Sequence, residues 1–206
     1  MNNLMLLLDL FGTVVFAITG CLVAARRQTD VIGFILLAVV TGIGGGTMRD
    51  VILGNTPVFW VAKPIYLTLC TATALFMYFA ARYINIYKKP ILWADAVGLG
   101  VFTIIGTEVA MLHDASTGIA VLMGVMTATF GGIIRDVLSH QKTLILKKEI
   151  YASAAFTGSL VYILIYQWTG GMQEISIIAS FLTTFGIRAL GIIYDLRLPG
   201  YKWIAD

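Results

Sequence analysis

The chain contains seven stretches of mostly apolar residues, each long enough to cross a lipid bilayer. They cover residues 6–25, 31–54, 65–84, 92–112, 117–140, 150–168 and 175–196. A helix needs about 20 apolar residues to cross roughly 30 Å of hydrocarbon. Only 12% of the 206 residues are charged, whereas water-soluble proteins have about 25%. The sequence therefore predicts an all-α membrane protein with seven transmembrane helices in a single domain over residues 1–206.

The first six spans form two copies of one three-helix unit. At a nearly constant offset of 86 residues, the matching positions are Asp9 with Asp95, Gly45-Gly46 with Gly131-Gly132, and Arg49-Asp50 with Arg135-Asp136. Because each copy contains an odd number of spans, the second copy enters the membrane from the opposite side. We expect inverted repeats over about 6–84 and 92–168, and an extra helix over about 175–196. Inverted repeats are typical of transport proteins, with the substrate path at the repeat interface.

The basic residues of the connecting segments predict the orientation of the chain. One side of the membrane receives Arg26, Arg27, Arg82, Lys88, Lys89, Lys142, Lys147, Lys148, Arg197 and Lys202, whereas the other side receives Lys63. Cytoplasmic loops are enriched in Lys and Arg. We therefore expect the N-terminus outside and the C-terminus in the cytoplasm. The first span is expected to be retained and not cleaved as a signal peptide, because Asp9 interrupts it and no basic segment precedes it.

An arginine–aspartate pair follows a glycine cluster in the second span and again in the fifth. Consecutive glycines weaken a helix by about 1 kcal/mol each relative to alanine, so kinking or unwinding is expected there. For the glycines alone, close packing of two helices is the favoured interpretation. The charges add a second argument, because Arg or Asp at membrane depth is unfavourable by at least about 2.5–3.5 kcal/mol and normally faces a bundle interior or water.

The repeated charges therefore favour a hydrated passage over internal salt bridges alone. The candidate residues of this passage are Gly44, Gly45, Gly46, Thr47, Arg49, Asp50, Thr129, Gly131, Gly132, Arg135 and Asp136, with Asp9, Asp95 and Glu108 as supporting charges. Adjacent residues of a helix do not face each other, so neither arginine is expected to pair well with the aspartate that follows it. Pairs crossed between the repeats, or pairs with Asp9 and Asp95, fit the geometry better.

Other polar residues near the span ends are expected to have structural roles. Glu108 is predicted to lie at a solvated helix end, and Arg188 is expected to extend to the lipid headgroups. The expected interfacial anchors are Trp60, Trp93, Trp168, Tyr66, Tyr83, Tyr87, Tyr151 and Tyr162. Cys21 and Cys70 lie inside apolar stretches and are interpreted as buried small residues, with no disulfide and no metal site expected.

The duplicated Gly-Gly-x-x-Arg-Asp motif, in a seven-span chain of this length, resembles the prokaryotic members of the trimeric intracellular cation (TRIC) channel family. Similar bacterial sequences have also been grouped as a glycine-transporter domain. The resemblance implies a homotrimer in the prokaryotic plasma membrane, with one pore for K+ and, less selectively, Na+ in each subunit. It implies that the second and fifth helices are kinked at their glycines and line the pore. Membrane lipids are the expected surroundings, with no cofactor and no nucleic acid.

The eukaryotic members of this family carry Lys-Glu-Val in the fourth span, a motif linked to phosphoinositide binding. The present chain has Thr107-Glu108-Val109 at that place and lacks the lysine. The resemblance therefore does not extend to specific phosphoinositide binding.

The residues alone leave two functions open. An arginine beside the amino end of a half-helix favours a carboxylate, which fits a transporter of a small amino acid such as glycine, with its ammonium group on Asp. A cation channel needs Asp to offset Arg, and hydroxyls and carbonyls to hold the ion. The candidate hydroxyls are those of Thr41, Thr47, Thr127 and Thr129. The family resemblance favours the channel, and no spacing of His, Ser–Lys or paired Asp indicates an enzyme.

Overall fold

A computed structural model describes residues 3–83, 88–141, 143 and 149–197, with Lys88 described by its backbone only. The helices in these residues are α1 Asn3–Arg26, α2 Val31–Leu53, α3 Phe59–Ala62, α4 Ile65–Ala80, α5 Lys88–Leu112, α6 Thr117–Leu138, α7 Ala152–Trp168 and α8 Gln173–Ile193. A 3₁₀ turn over Ala81–Tyr83 extends α4. The described chain is therefore a bundle of long apolar helices with short connections, and α3 is the one helix in it that hydropathy did not predict.

Six of the described helical segments are long and apolar enough to cross a membrane, namely α1, α2, α4 with its 3₁₀ extension, α5, α6 and α8. The remaining long helix, α7, has 17 residues, which lies at the lower limit of about 17 residues for a spanning helix. Its position matches the predicted sixth span to within two residues at its start. The predicted all-α membrane fold is confirmed.

Successive spanning helices alternate in direction and define two faces of the bundle. We call the face with Asn3, Leu53 and Leu112 the N-terminal face, and the face with Arg26 and Leu138 the C-terminal face. Four of the basic residues used to predict the orientation, Lys142, Lys147, Lys148 and Lys202, lie outside the described residues, as does Tyr87. The assignment of the C-terminal face to the cytoplasm stays a prediction.

The two repeats meet around a pseudo-two-fold axis that is visible in matched contacts. Phe16 of α1 packs against its own repeat equivalent, Phe102 of α5, with ring centroids 5.0 Å apart. A Cβ atom added to Gly45 of α2 would lie 2.0 Å from the carbonyl oxygen of Thr127 in α6. The reciprocal contact places a Cβ added to Gly131 at 2.2 Å from the carbonyl oxygen of Thr41. Equivalent residues thus exchange equivalent contacts, as an inverted repeat requires.

These contacts explain the glycine clusters. Helices α2 and α6 remain α-helical through both clusters, so the expected unwinding is not observed. Gly45 and Gly131 let the backbones of α2 and α6 touch where they cross, since any side chain there would overlap a carbonyl group. Close packing, the interpretation favoured for the glycines alone, is confirmed.

Helix α8 packs on the second repeat through small and polar residues. The hydroxyl of Ser180 donates a hydrogen bond of 2.9 Å to the carbonyl of Gly158 in α7. The prediction that Arg188 extends to the headgroups is wrong, because this side chain is 1% exposed. Its guanidinium lies 2.7 Å from the carboxylate of Glu149 and 5.3 Å from the ring centroid of Tyr151. A half-buried acid and an aromatic face stabilise the charge inside the bundle, so the side chain does not extend to the interface.

Candidate functional site

The first arginine site lies near the N-terminal face, one turn before the end of α2. Arg49 is 3% exposed, and its Nε and Nη2 atoms lie 2.8 and 2.7 Å from Oδ1 of Asp50. The other carboxylate oxygen of Asp50 accepts a hydrogen bond of 2.8 Å from the backbone N–H of Phe59. The guanidinium carbon of Arg49 lies 5.6 Å from the Phe59 ring centroid. Asp50 therefore ties the short helix α3 to the end of α2 and neutralises Arg49.

The second arginine site lies near the C-terminal face and joins three spanning helices. Arg135 of α6 places Nη1 at 2.6 Å from Asp95 of α5 and Nη2 at 2.9 Å from Asp136. Nη1 also donates a hydrogen bond of 2.9 Å to the hydroxyl of Thr19 in α1. The hydroxyl of Tyr151, just before α7, donates to Asp95 across 3.4 Å. Arg135 is 1% exposed, so the site is buried where the three helices meet.

One of the predicted partners of the two arginines is correct, and the others are wrong. The pair between Arg135 and Asp95 is confirmed. Both arginines also bind the aspartate that follows them, which the sequence argument did not expect. The rule concerns the directions in which side chains leave the helix, whereas the long arginine side chain curves around the helix and reaches its neighbour. Among the described residues, no ion pair crosses between the repeats from Arg49 to Asp136 or joins Arg49 to Asp9.

Asp9 is the point where the two repeats differ most. Its carboxylate accepts a hydrogen bond of 2.6 Å from the hydroxyl of Tyr66, just as Tyr151 donates to Asp95. Its repeat equivalent Asp95 holds Arg135, but Asp9 is 3% exposed and has no arginine in ion-pair contact within the described structure. The same sequence motif therefore forms a closed cluster in the second repeat and a separated one in the first.

A cavity of about 270 Å³ opens beside Asp9 at the N-terminal face, and we call it the N-terminal cavity. Its polar lining comes from Asp9, Arg49, Asn55, Lys63, Tyr66 and His113. Its apolar lining comes from Val109 and Leu112 of α5 and from Pro57, Phe59 and Ala62 between α2 and α4. The cavity thus brings both repeats together at one end of their interface, and it holds charges of both signs without an ion pair between Asp9 and Arg49.

The predicted threonine hydroxyls mostly bind their own helices. Thr41 and Thr129 donate to the carbonyls of Leu37 and Val125, one turn earlier. Thr47 donates to the carbonyl of Ile43 and accepts a hydrogen bond of 3.0 Å from the indole N–H of Trp60. Each hydroxyl that donates in this way keeps a lone pair for an ion or a water molecule.

Glu108 does not lie at a solvated helix end, and that prediction is wrong. The side chain is 8% exposed. It accepts a hydrogen bond from the hydroxyl of Tyr162 in α7 and another, of 2.6 Å, from the side-chain amide of Gln173 at the start of α8. The acid therefore joins α5, α7 and α8 instead of meeting solvent. Tyr66, Tyr151 and Tyr162 are also buried and bind carboxylates, so they are not the interfacial anchors that the sequence predicted.

Removing the Tyr162 hydroxyl is expected to destabilise the bundle. In Tyr162→Phe the carboxylate of Glu108 loses one hydrogen-bond donor. A buried acceptor left without its donor lowers the free energy of unfolding by about 1–3 kcal/mol. Tyr166→Phe is the matched control, because Tyr166 stacks on Tyr162 with ring centroids 6.2 Å apart but does not bind Glu108 in the described contacts. Thermal unfolding in detergent should show a lower midpoint for Tyr162→Phe only. Equal midpoints for the two variants would contradict the assignment.

Carboxylates accompany the guanidinium at both arginine sites. Each site has one guanidinium and two carboxylates, Arg49 with Asp9 and Asp50, and Arg135 with Asp95 and Asp136. Lys63 adds a second positive charge to the cavity beside the first site. Each guanidinium thus lies beside at least one carboxylate that neutralises it.

Sequence reasoning missed four residues of these sites, Thr19, Phe59, Tyr66 and Tyr151. The two tyrosines could have been recognised from the repeat, because Tyr66 and Tyr151 are separated by 85 residues. This is one residue less than the offset that aligns Asp9 with Asp95. A buried aspartate and a tyrosine repeated together predict a hydrogen-bonded pair. No repeat signal marked Thr19 or Phe59, whose contacts appear only once the helices are packed.

Comparison with known families agrees with the duplicated architecture. A family model described as glycine transporter matches residues 6–82 and again residues 92–167. The chain is 40% identical over 206 residues to a UPF0126 membrane protein of Vibrio cholerae, covering 97% of this chain and 84% of that protein. It is 41% identical over 197 residues to the UPF0126 inner membrane protein YadS of Escherichia coli, covering 94% of each chain.

Solved structures extend the likeness to the whole fold. A structure of the TRIC trimeric intracellular cation channel orthologue from Rhodobacter sphaeroides superposes with a TM-score of 0.91 at 44% identity, covering 95% of this chain and 100% of that one. A prokaryotic TRIC channel solved in 0.5 M KCl superposes with a TM-score of 0.88 at 30% identity, covering 96% and 100%. The family model matches both halves of the chain, and the solved TRIC structures superpose on nearly all of it. The chain therefore belongs to the prokaryotic TRIC channel family.

Proposed function

We propose that this protein is a channel for monovalent cations, K+ and less selectively Na+, with a separate path through each subunit of a homotrimer. The observation that carries the proposal is that carboxylates neutralise the arginine at each end of the interface between the repeats, as a cation path requires. The Rhodobacter sphaeroides relative, a trimeric intracellular cation channel, supports the trimer and the permeant charge. The predicted orientation places the N-terminal cavity outside the cell and the Arg135 site at the cytoplasmic side of the plasma membrane.

The proposed path runs along the repeat interface between the two arginine sites. It begins in the N-terminal cavity, whose wall includes α1, α2, α4 and α5. It ends at the Arg135 site, where α1, α5 and α6 meet through Thr19, Asp95 and Arg135. Glycines of α2 and α6 hold these helices close enough for residues of both repeats to face one passage.

Two features close this path in the conformation described. Phe16 and Phe102 lie at the pseudo-two-fold axis, 1% and 3% exposed, and an apolar constriction of this kind excludes water and ions. Nearer the C-terminal face, Arg135 is held by two carboxylates and a hydroxyl. Conduction then requires the aromatic pair to separate and Arg135 to release Asp95.

A second candidate function is uptake of a small zwitterion such as glycine. One observation favours it: Asp9 and Arg49 line the same cavity of about 270 Å³ and could hold the ammonium and the carboxylate of one small molecule. The matching family model bears the description glycine transporter. The ion pair of Arg49 with Asp50 leaves this arginine less able to bind a substrate carboxylate, which argues for the cation.

Flux measurements separate the two functions. Liposomes that contain the purified protein should release K+ down its gradient when a path for a counter-ion is supplied. The rate of release should not saturate at millimolar K+. Glycine uptake should equal that of empty liposomes. Saturable accumulation of glycine without K+ flux would reject the channel. Phe102→Ala offers a gain-of-function check, because removal of one ring of the constriction should raise K+ flux per folded protein, whereas Phe185→Ala on α8 should not.

A further inference from the structure

We infer that Asp9 and Tyr66 form a binding site for one monovalent cation in the N-terminal cavity, and that an occupied site holds Arg49 away from Asp9. The inference rests on the proposed cation path and gives it a first binding site. Asp9 carries a carboxylate that is 3% exposed, and the described contacts give it the hydroxyl of Tyr66 and no cationic partner. A buried carboxylate is stable when it is paired with positive charge. The cavity beside it provides the space for that charge.

In the second repeat, the carboxylate equivalent to Asp9 is paired with an arginine. Asp95 occupies the equivalent position of the second repeat and accepts a hydrogen bond from the equivalent tyrosine, and there Arg135 lies 2.6 Å from it. In the first repeat Arg49 remains with Asp50 and Phe59, although Asp9 and Arg49 line one cavity. The chain therefore contains the same acidic site with an arginine in contact and without one, and in the inferred site a cation takes the place that Arg135 fills in the second repeat.

The lining of the site selects a monovalent cation. Ca²⁺ requires six to eight oxygen ligands, usually with several carboxylates, and Mg²⁺ requires a near-octahedral shell. The N-terminal cavity offers the carboxylate of Asp9, the oxygen of Tyr66 and the side chain of Asn55, together with the positive charges of Arg49 and Lys63. Those two cations oppose a divalent ion more strongly than a partly hydrated K+ or Na+, which a single carboxylate neutralises.

The same geometry gives the site a role in conduction. A cation at Asp9 and the guanidinium of Arg49 compete for one carboxylate, so only one of them occupies it at a time. With the cation bound, Arg49 stays on Asp50 and the N-terminal cavity is open. Without it, Arg49 can move to Asp9 and form the pair already present between Arg135 and Asp95, which would close the N-terminal end of the path.

Cation binding is measurable without conduction. Purified wild-type protein in detergent is titrated with KCl against N-methyl-D-glucamine chloride at constant ionic strength, and the unfolding midpoint is recorded. A ligand that binds the folded state raises the midpoint in a saturable way. We expect K+ to raise the midpoint of the wild type and to leave that of Asp9→Asn unchanged. Asp114→Asn, in the exposed turn at the same face, should keep the full K+ response.

A second variant keeps the test decisive if Asp9→Asn does not fold. Tyr66→Phe leaves the carboxylate in place and removes one oxygen, so it should need at least threefold more K+ for half the response. An identical K+ response in wild type, Asp9→Asn and Tyr66→Phe would overturn the site. A midpoint raised by glycine but not by K+, and dependent on Asp9, would overturn it in favour of the zwitterion. Absence of K+ flux with an intact Asp9-dependent K+ response would reject the channel and keep the site.

Discussion

Gly45→Ala and Gly131→Ala are expected to prevent the two repeats from packing. The added methyl carbon would lie 2.0 Å from the Thr127 carbonyl oxygen in the first variant and 2.2 Å from that of Thr41 in the second. Both obstacles are backbone atoms, so α2 and α6 must move apart. Overpacking of a close contact costs about 1–3 kcal/mol and sometimes more. The two variants should give little monodisperse protein on size-exclusion chromatography and a much lower unfolding midpoint.

Gly186→Ala provides the matched control, because Gly186 lies inside α8 and an added Cβ would meet nothing within 4 Å. Alanine is favoured over glycine inside a helix by about 1 kcal/mol, so this variant should be as stable as the wild type or slightly more so. If Gly45→Ala and Gly186→Ala had the same midpoint, the close crossing of α2 and α6 would be wrong.

Asp95→Asn is expected to destabilise the protein by about 3 kcal/mol, the lower part of the range for breaking a buried ion pair. The substitution keeps the size of the side chain but removes the charge that binds Arg135 at 2.6 Å, and it leaves Asp136 as the remaining carboxylate. The arginine is 1% exposed and cannot turn to solvent for compensation. Thermal or denaturant unfolding in detergent measures the change.

The repeat equivalent supplies the comparison. Asp9→Asn removes a carboxylate that binds Tyr66 and has no arginine in contact, and the amide oxygen can still accept the tyrosine hydroxyl. Its loss of stability in K+-free buffer should be about 1 kcal/mol or less, as for one modified hydrogen bond. A loss as large as that of Asp95→Asn would mean that Asp9 is ion-paired, and the asymmetry between the repeats would have to be abandoned.

The spans and the inverted repeat could be predicted because they depend on patterns along the chain. Seven apolar stretches and a nearly constant offset of 86 residues are visible without any contact. The glycine clusters were also informative, since small residues at matching places in α2 and α6 favour a close crossing. What hydropathy could not predict was α3, whose four residues are positioned by the bond from Phe59 to Asp50.

The partners of the buried charges could not be predicted from the motif. Asp9 and Asp95 occupy equivalent positions, yet one binds tyrosine alone and the other binds arginine as well. A sequence repeat assigns the same chemistry to both copies, whereas the packed helices place Arg135 on Asp95 and leave Arg49 on Asp50. Glu108 was misjudged for a related reason, because its partners lie 54 and 65 residues later in the chain and meet it only after α5, α7 and α8 have packed.

The sign of the permeant charge tests the central claim most directly. Single channels in a planar bilayer are recorded with a tenfold KCl gradient, and the reversal potential is read from the current. Because both arginine sites carry two carboxylates for each guanidinium, the reversal potential should lie close to the potassium equilibrium potential. A value near the chloride equilibrium potential, or no unitary current from protein that is folded and trimeric, would contradict a cation path along the repeat interface.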